Sequence, residues 1–171
     1  YSGASVPFKY KGANQTAMIT GNNADFSGAG NWAGASATVT QNYDSGDAGH
    51  DSCMRIEATA TQWSRSNLPI ANWDVAPTEG KTYRITFDYK WVNYDSIPAG
   101  QGYIYFGSNS SAATNSFDGN WNSTEAIMVY EAGSYGIACY ANSAAGTTDN
   151  EILIDNLTIT QIGAVAEYDG S

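Results

Sequence analysis

The sequence predicts an all-β domain, a β-sandwich jelly roll of about nine antiparallel strands in two sheets, and three observations lead there. Short runs rich in Val, Ile, Tyr, Phe and Thr alternate with joints rich in Gly, Asn and Ser. Only 14% of residues are charged while 13% are aromatic, a mix that favours strands and turns over helices built from Glu, Lys and Leu. Helical periodicity fails beyond about two turns, and each Gly or Asn disfavours a helix by up to ~1 kcal/mol. A chain of 171 residues suits one domain and is long enough to bury a core without metals or disulfides.

In chain order, residues 1–15 lack clear periodicity and read as a leading linker. Residues 16–161 read as the sandwich, and residues 162–171 as an exit segment toward a further module of a larger chain. Strands are expected over 17–20, 36–42, 52–61, 64–71, 81–93, 102–108, 124–131, 136–142 and 151–161. The clearest is 82–91, where Tyr83, Ile85, Phe87, Tyr89 and Trp91 share one face and Arg84, Thr86, Asp88 and Lys90 the other. In 52–60, Met54, Ile56, Ala58 and Ala60 form the inward set. In 102–106, Tyr103 and Tyr105 oppose Ile104 and Phe106, and since both sets are partly apolar the pattern leaves the inward face open. The two cysteines, Cys53 and Cys139, either form one bridge or serve as small apolar strand residues. No Cys-x-x-Cys or His-x-x-x-His spacing occurs, which argues against zinc.

The formal charge is −10, with only seven Lys and Arg. That field repels a phosphate backbone, so nucleic acid is not an expected partner. It equally disfavours anionic lipid and acidic polysaccharide, and a neutral ligand is the simplest one compatible with it. No apolar run approaches the roughly 20 residues of a membrane helix, so no membrane partner is expected.

Four segments resemble, in order and separation, the bacterial carbohydrate-binding modules of families four, nine and twenty-two. Asn23-Ala24-Asp25-Phe26-Ser27, followed by Trp32, is similar to their Asn-Gly-x-Phe-Glu opening. Cys53-Met54-Arg55-Ile56 stands where they have Ser-Leu-Arg-Val, and 79–87 is similar to their Pro-Gly-Lys-Thr-Tyr strand start. Ile152-Leu153-Ile154-Asp155-Asn156-Leu157-Thr158-Ile159 is similar to their closing strand. The resemblance implies a galactose-binding-like jelly roll with one concave sheet used for glycan chains, in a secreted, extracellular protein. The tail, 161–171, resembles junctions in phage tail-fibre proteins, which implies a virion-associated setting instead.

Sugar rings offer an apolar C–H face and a rim of hydroxyls, so a site for them needs flat aromatic surface and a few fixed polar groups. The resemblance matches a ligand-stacking Trp to Trp63, and its neighbour Arg65 is placed to bridge hydroxyls. Tyr103, Tyr105 and Tyr140 are further candidates, against the alternative that such rings pack in the core. Arg84 and Asp88, opposite the core face of their strand, either line the concave surface or satisfy one another. The resemblance also implies a structural Ca²⁺ on Asp155 of the closing strand, with Asp25 or Asp51 replacing the carboxylate that Ser27 lacks. The alternative is that Asp155 bonds backbone at a bulge.

Catalysis finds little support. The sole histidine, His50, sits in a turn-like run where solvent exposure is expected, and no nucleophile elbow, phosphate loop or metalloprotease motif occurs. With 17 acidic residues, some pair of carboxylates at glycosidase spacing arises by chance. The expected function is therefore non-catalytic binding of a neutral polysaccharide of β-glucan or xylan type, attached in cis to other modules. The competing expectation is a virion structural or adhesion domain without a soluble glycan ligand.

Overall fold

The computed structural model describes residues 8–12, 17–94, 102–142, 148–162 and 164–168. Its strands are β1 (Phe8–Gly12), β2 (Ala33–Ala35), β3 (Ala37–Tyr43), β4 (Cys53–Ala58), β5 (Arg65–Leu68), β6 (Thr82–Asn93), β7 (Tyr103–Phe106), β8 (Asn109–Ala112), β9 (Asn122–Val129), β10 (Ile137–Tyr140), β11 (Glu151–Ile162) and β12 (Ala164–Tyr168). Ten of them form two antiparallel five-stranded sheets. The front sheet has the order β2-β5-β10-β7-β8 and the back sheet β3-β4-β11-β6-β9. The outer segments, read from sequence as linkers, contribute β1 and β12, which pair with each other.

The alternation expected in β6 is realised: Tyr83, Ile85, Phe87, Tyr89 and Trp91 are all buried and join the core. They meet Met54 and Ile56 of β4, Ile152 and Ile154 of β11, and, from the front sheet, Leu68, Ile104, Phe106, Ile137 and Cys139. The ambiguous strand β7 is thereby resolved, with Ile104 and Phe106 inward and both tyrosines on the outer face. Two strands had no apolar alternation to betray them: β2 reads Ala-Gly-Ala and β8 Asn-Ser-Ser-Ala. The expected strand at 17–20 is instead a non-ladder crossing. There Met18 N–H donates to Ile159 O, and Met18 O accepts from Asp74 and Val75.

The closing strand changes face partway. Ile152 and Ile154 point inward, then a bulge between Asp155 and Thr158 shifts the register so that Leu157 and Ile159 point inward instead. Asn156 absorbs the irregularity at φ +51°, a conformation Asn tolerates better than most residues.

Both cysteines are free and buried. Cys53 alternates against core residue Met54 and so lies on the outer side of the back sheet, its Sγ 3.3 Å from Tyr43 O, whereas Cys139 faces the core. Burial pushes both thiols from 9.0 up to about 12. The native protein at pH 8 is therefore expected to leave dithionitrobenzoate unreacted, while protein unfolded in guanidinium titrates two thiols. Prompt reaction of the native protein would contradict this packing. Because the folded-state values are raised, the associated stability is fully present below about pH 9 and is lost as pH rises toward 12.

Candidate functional site

The outer face of the front sheet gathers the sequence-predicted residues from three strands. Registry places Tyr140 opposite Arg65, and Ala138 between Asn67 and Tyr105. Paired residues share a face, so Arg65, Asn67, Tyr105 and Tyr140 lie together, with Tyr103 two residues from Tyr105. Trp63, in the bend before β5, stands at the edge of this group. It is the one tryptophan among the described residues left largely exposed, at 45%.

The bend holding Trp63 is built from backbone and amide contacts. Asn142 Oδ1 accepts from Ser64 N–H at 2.8 Å, Asn142 Nδ2 donates to Ala60 O at 2.7 Å, and Ser64 Oγ donates to the same carbonyl at 3.0 Å. Ser64 O in turn accepts from the N–H groups of Ala141 and Asn142. These contacts hold Trp63 at φ +58°, a left-handed conformation that is an outlier for a bulky residue and costs on the order of 1–3 kcal/mol.

The rings do not form one plane. Tyr105 and Tyr140 lie 4.9 Å apart at 40°, Tyr105 meets Tyr135 at 76°, and Trp63 stands at 84° to Tyr140. Tyr103 continues the row 6.4 Å from Tyr105. Trp63 is thus a wall rising beside a tyrosine floor. Tyr140 is only 3% exposed although it points away from the core, because Trp63, Arg65, Tyr105 and Tyr135 cover it. Its part is to support the other rings, not to lie open as a stacking surface. Burial, aided by a hydrogen bond with Tyr135, pushes its phenol well above the usual value of 10 and keeps it neutral.

Arg65 lies across this floor, its guanidinium carbon 5.0 Å from the Tyr135 ring centre and 5.5 Å from that of Tyr140. Nη1 donates to Trp63 O at 2.9 Å, and the buried Nε has no acceptor. Asn67 Oδ1, two residues on, is also buried without a donor. Asn67, Tyr135 and Asn142 were not singled out from sequence. Asn67 is legible in retrospect as the same-face neighbour of Arg65, whereas Tyr135 reaches the site from a loop with no periodicity to mark it.

Arg84 and Asp88 lie apart from this group. They occupy the outer face of the back sheet, across the core from the aromatic cluster, since β6 belongs to that sheet. They do not pair with each other either: Arg84 Nε binds Glu125 at 3.1 Å, and Asp88 accepts from Ser123 Oγ and Asn156 Nδ2.

The calcium ligands expected at Asp25, Asp51 and Asp155 do not form a set. Among the described residues no three His, Cys, Asp or Glu side chains gather in a metal-holding arrangement. Asp25 Oδ1 accepts from the N–H and hydroxyl of Ser27, and Asp51 is exposed. Alternation after Ile154 puts Asp155 on the outer side, just before the bulge, where Oδ1 accepts from Asn156 N–H and Oδ2 lies 2.7 Å from His50 Nδ1. A nitrogen donor thus stands where a hard cation would need oxygen, so these residues do not fit calcium. His50, expected to be solvent-exposed, is mostly covered and stacks on Trp121 at 3.8 Å and 12°. Trp121 Nε1 and Lys90 Nζ both donate to Asp47 Oδ2, and those two bonds hold the Asp47 carboxyl below its usual 3.8. The contribution of Asp47 to stability is therefore present above about pH 4 and lost as pH falls through its lowered value.

No family model and no curated protein matches the sequence. Solved structures do match. The CBM22-1 xylan-binding domain of Paenibacillus barcinonensis Xyn10C superposes with a TM-score of 0.61 at 14% identity, covering 92% of this chain and 99% of that one. The CBM22-2 xylan-binding domain of the same enzyme gives 0.50 at 20% identity over 81% and 97%. The CBM22-1 and GH10 modules of Clostridium thermocellum xylanase 10B, complexed with xylohexaose, give 0.53 at 12% identity, covering 90% of this chain and 29% of that one. The protein thus has the fold of a carbohydrate-binding module, and more narrowly the β-sandwich of the family 22 type.

Proposed function

We propose that the outer face of the front sheet binds a single polysaccharide chain of the xylan or β-glucan type without cleaving it. The observation that carries this reading is the conjunction of exposed Trp63 with a tyrosine floor on which the half-buried Arg65 lies flat beside Asn67, so that aromatic surface and polar side chains share one face. A sugar needs apolar surface for its C–H face and polar groups for its hydroxyl rim, and this face supplies both. The likeness to xylan-binding domains supports the same ligand class.

The perpendicular wall favours a soluble chain lying in a corner. A crystalline surface would call for coplanar rings. The five front strands carry no Asp or Glu, so the floor lacks the two carboxylates that glycoside hydrolysis needs, which supports binding without catalysis. Affinity electrophoresis is expected to show retardation by soluble xylan or mixed-linkage β-glucan, without release of reducing ends and without adsorption to crystalline cellulose. A panel of neutral polysaccharides producing no retardation would overturn the reading and return the domain to an architectural role.

A further inference from the structure

We infer that Arg65 receives a carboxylate, so that the preferred ligand is a mostly neutral polysaccharide carrying sparse uronate side groups. This rests on the carbohydrate-binding reading of the front sheet and narrows its ligand.

The first ground is the partition of charge. The back-sheet strands hold five carboxylates (Glu57, Asp88, Glu125, Glu151, Asp155) against three bases (Arg55, Arg84, Lys90), whereas the front-sheet strands hold a single charged residue, Arg65. A chain of formal charge −10 therefore presents one sheet whose strands sum to +1. The second ground is pairing. The chain has three arginines. Arg55 is bidentate on Glu151 and also meets Glu57, and Arg84 meets Glu125. Among the described residues Arg65 meets no carboxylate, although acids outnumber bases 17 to seven.

The third ground is donor count. A guanidinium has five N–H donors in a planar fork suited to a carboxylate, and among the described residues one of them, on Nη1, finds an acceptor, the carbonyl of Trp63. The buried Nε is closed off, but the residue is only half-buried and keeps donors on its outer edge. Tyr135 and Tyr140 hold the group flat, so little side-chain freedom is lost when an anion docks. Sparse substitution follows from the rest of the molecule, since a polyuronate would suffer the repulsion of the whole −10 field while one side group meets mainly the local cation.

Three probes test this by calorimetry at low salt: a glucuronate-substituted xylan, the same polymer with its carboxyls reduced to alcohols, and polygalacturonate. The substituted xylan is expected to bind about tenfold tighter than its reduced form, the scale of one hydrogen-bonded charge. That margin should narrow as salt rises, and polygalacturonate should bind weakest. In Arg65→Gln, checked for native near-ultraviolet dichroism, binding falls overall and the preference is expected to drop below twofold. Equal affinity of the wild type for native and reduced polymer overturns the inference and leaves the polysaccharide reading intact. A tenfold preference retained by Arg65→Gln also overturns it, and tighter binding of polygalacturonate overturns the sparse-uronate part. Binding of no probe overturns both.

Discussion

Replacing Trp63 with Ala is expected to weaken binding of the retarding polysaccharide by about 10- to 100-fold while leaving the thermal midpoint nearly unchanged. Covering one face of an indole with a sugar ring removes roughly 100 Å² of apolar surface from water, worth ~2–3 kcal/mol at the usual transfer coefficient. The fold has little at stake in the same ring, which is 45% exposed and touches the domain chiefly edge-on at Tyr140. A substitution so placed shifts stability by about ±0.5 kcal/mol. The strain at φ +58° sharpens the contrast, because Trp63→Gly relieves it and is expected to raise the midpoint slightly while abolishing retardation. Calorimetric titration with parallel thermal melts checks both, and unchanged affinity in Trp63→Ala would remove the wall from the site.

Replacing Asp155 with Ala is expected to destabilise the domain by about 3–5 kcal/mol, the range for a buried pair that loses one partner. For a domain of this size that is a fall in midpoint of roughly 6–20 °C. Asp155 Oδ2 lies 2.7 Å from His50 Nδ1 and Oδ1 accepts from Asn156 N–H, and the substitution leaves both nitrogens without that partner. The stack of His50 on Trp121 then loses its anchor, and with it the loop that Asp47 ties to Lys90 and Trp121. The same melts with and without chelator are expected to coincide for wild type and variant alike, since nitrogen occupies the position a cation would need. A wild-type midpoint lowered by chelator would place an ion at this carboxylate and undo the assignment.

Much of the architecture was legible in the residues. The alternation of Tyr83, Ile85, Phe87, Tyr89 and Trp91 marked the inward face of β6, and the four resembling segments indicated the jelly roll that the superpositions show. Trp63 was singled out by the resemblance, and among the described residues it is the tryptophan left largely exposed. That Arg84 and Asp88 lie across the core from the aromatic group was not legible, for a definable reason: alternation says that a side chain points away from the core, but both sheets have an outer face and only strand order says which. Asp155 was tied to calcium by the resemblance; the alternative read beside it, a backbone bond at a bulge, is present, whereas the reach of His50 across 105 residues of sequence leaves no trace in local pattern.

By itself, then, the sequence determined the class of fold, the inward face of its long strands, and an acidic surface unsuited to phosphate. Periodicity and charge are local or additive properties, readable without knowing what pairs with what. Tertiary structure alone decided that Arg65, Asn67, Tyr105, Tyr135 and Tyr140 share one face, that the closing-strand aspartate meets a histidine, and that the two thiols stay apart. Those outcomes depend on strand order and on a register shift, and both are set by contacts between residues far apart in the chain.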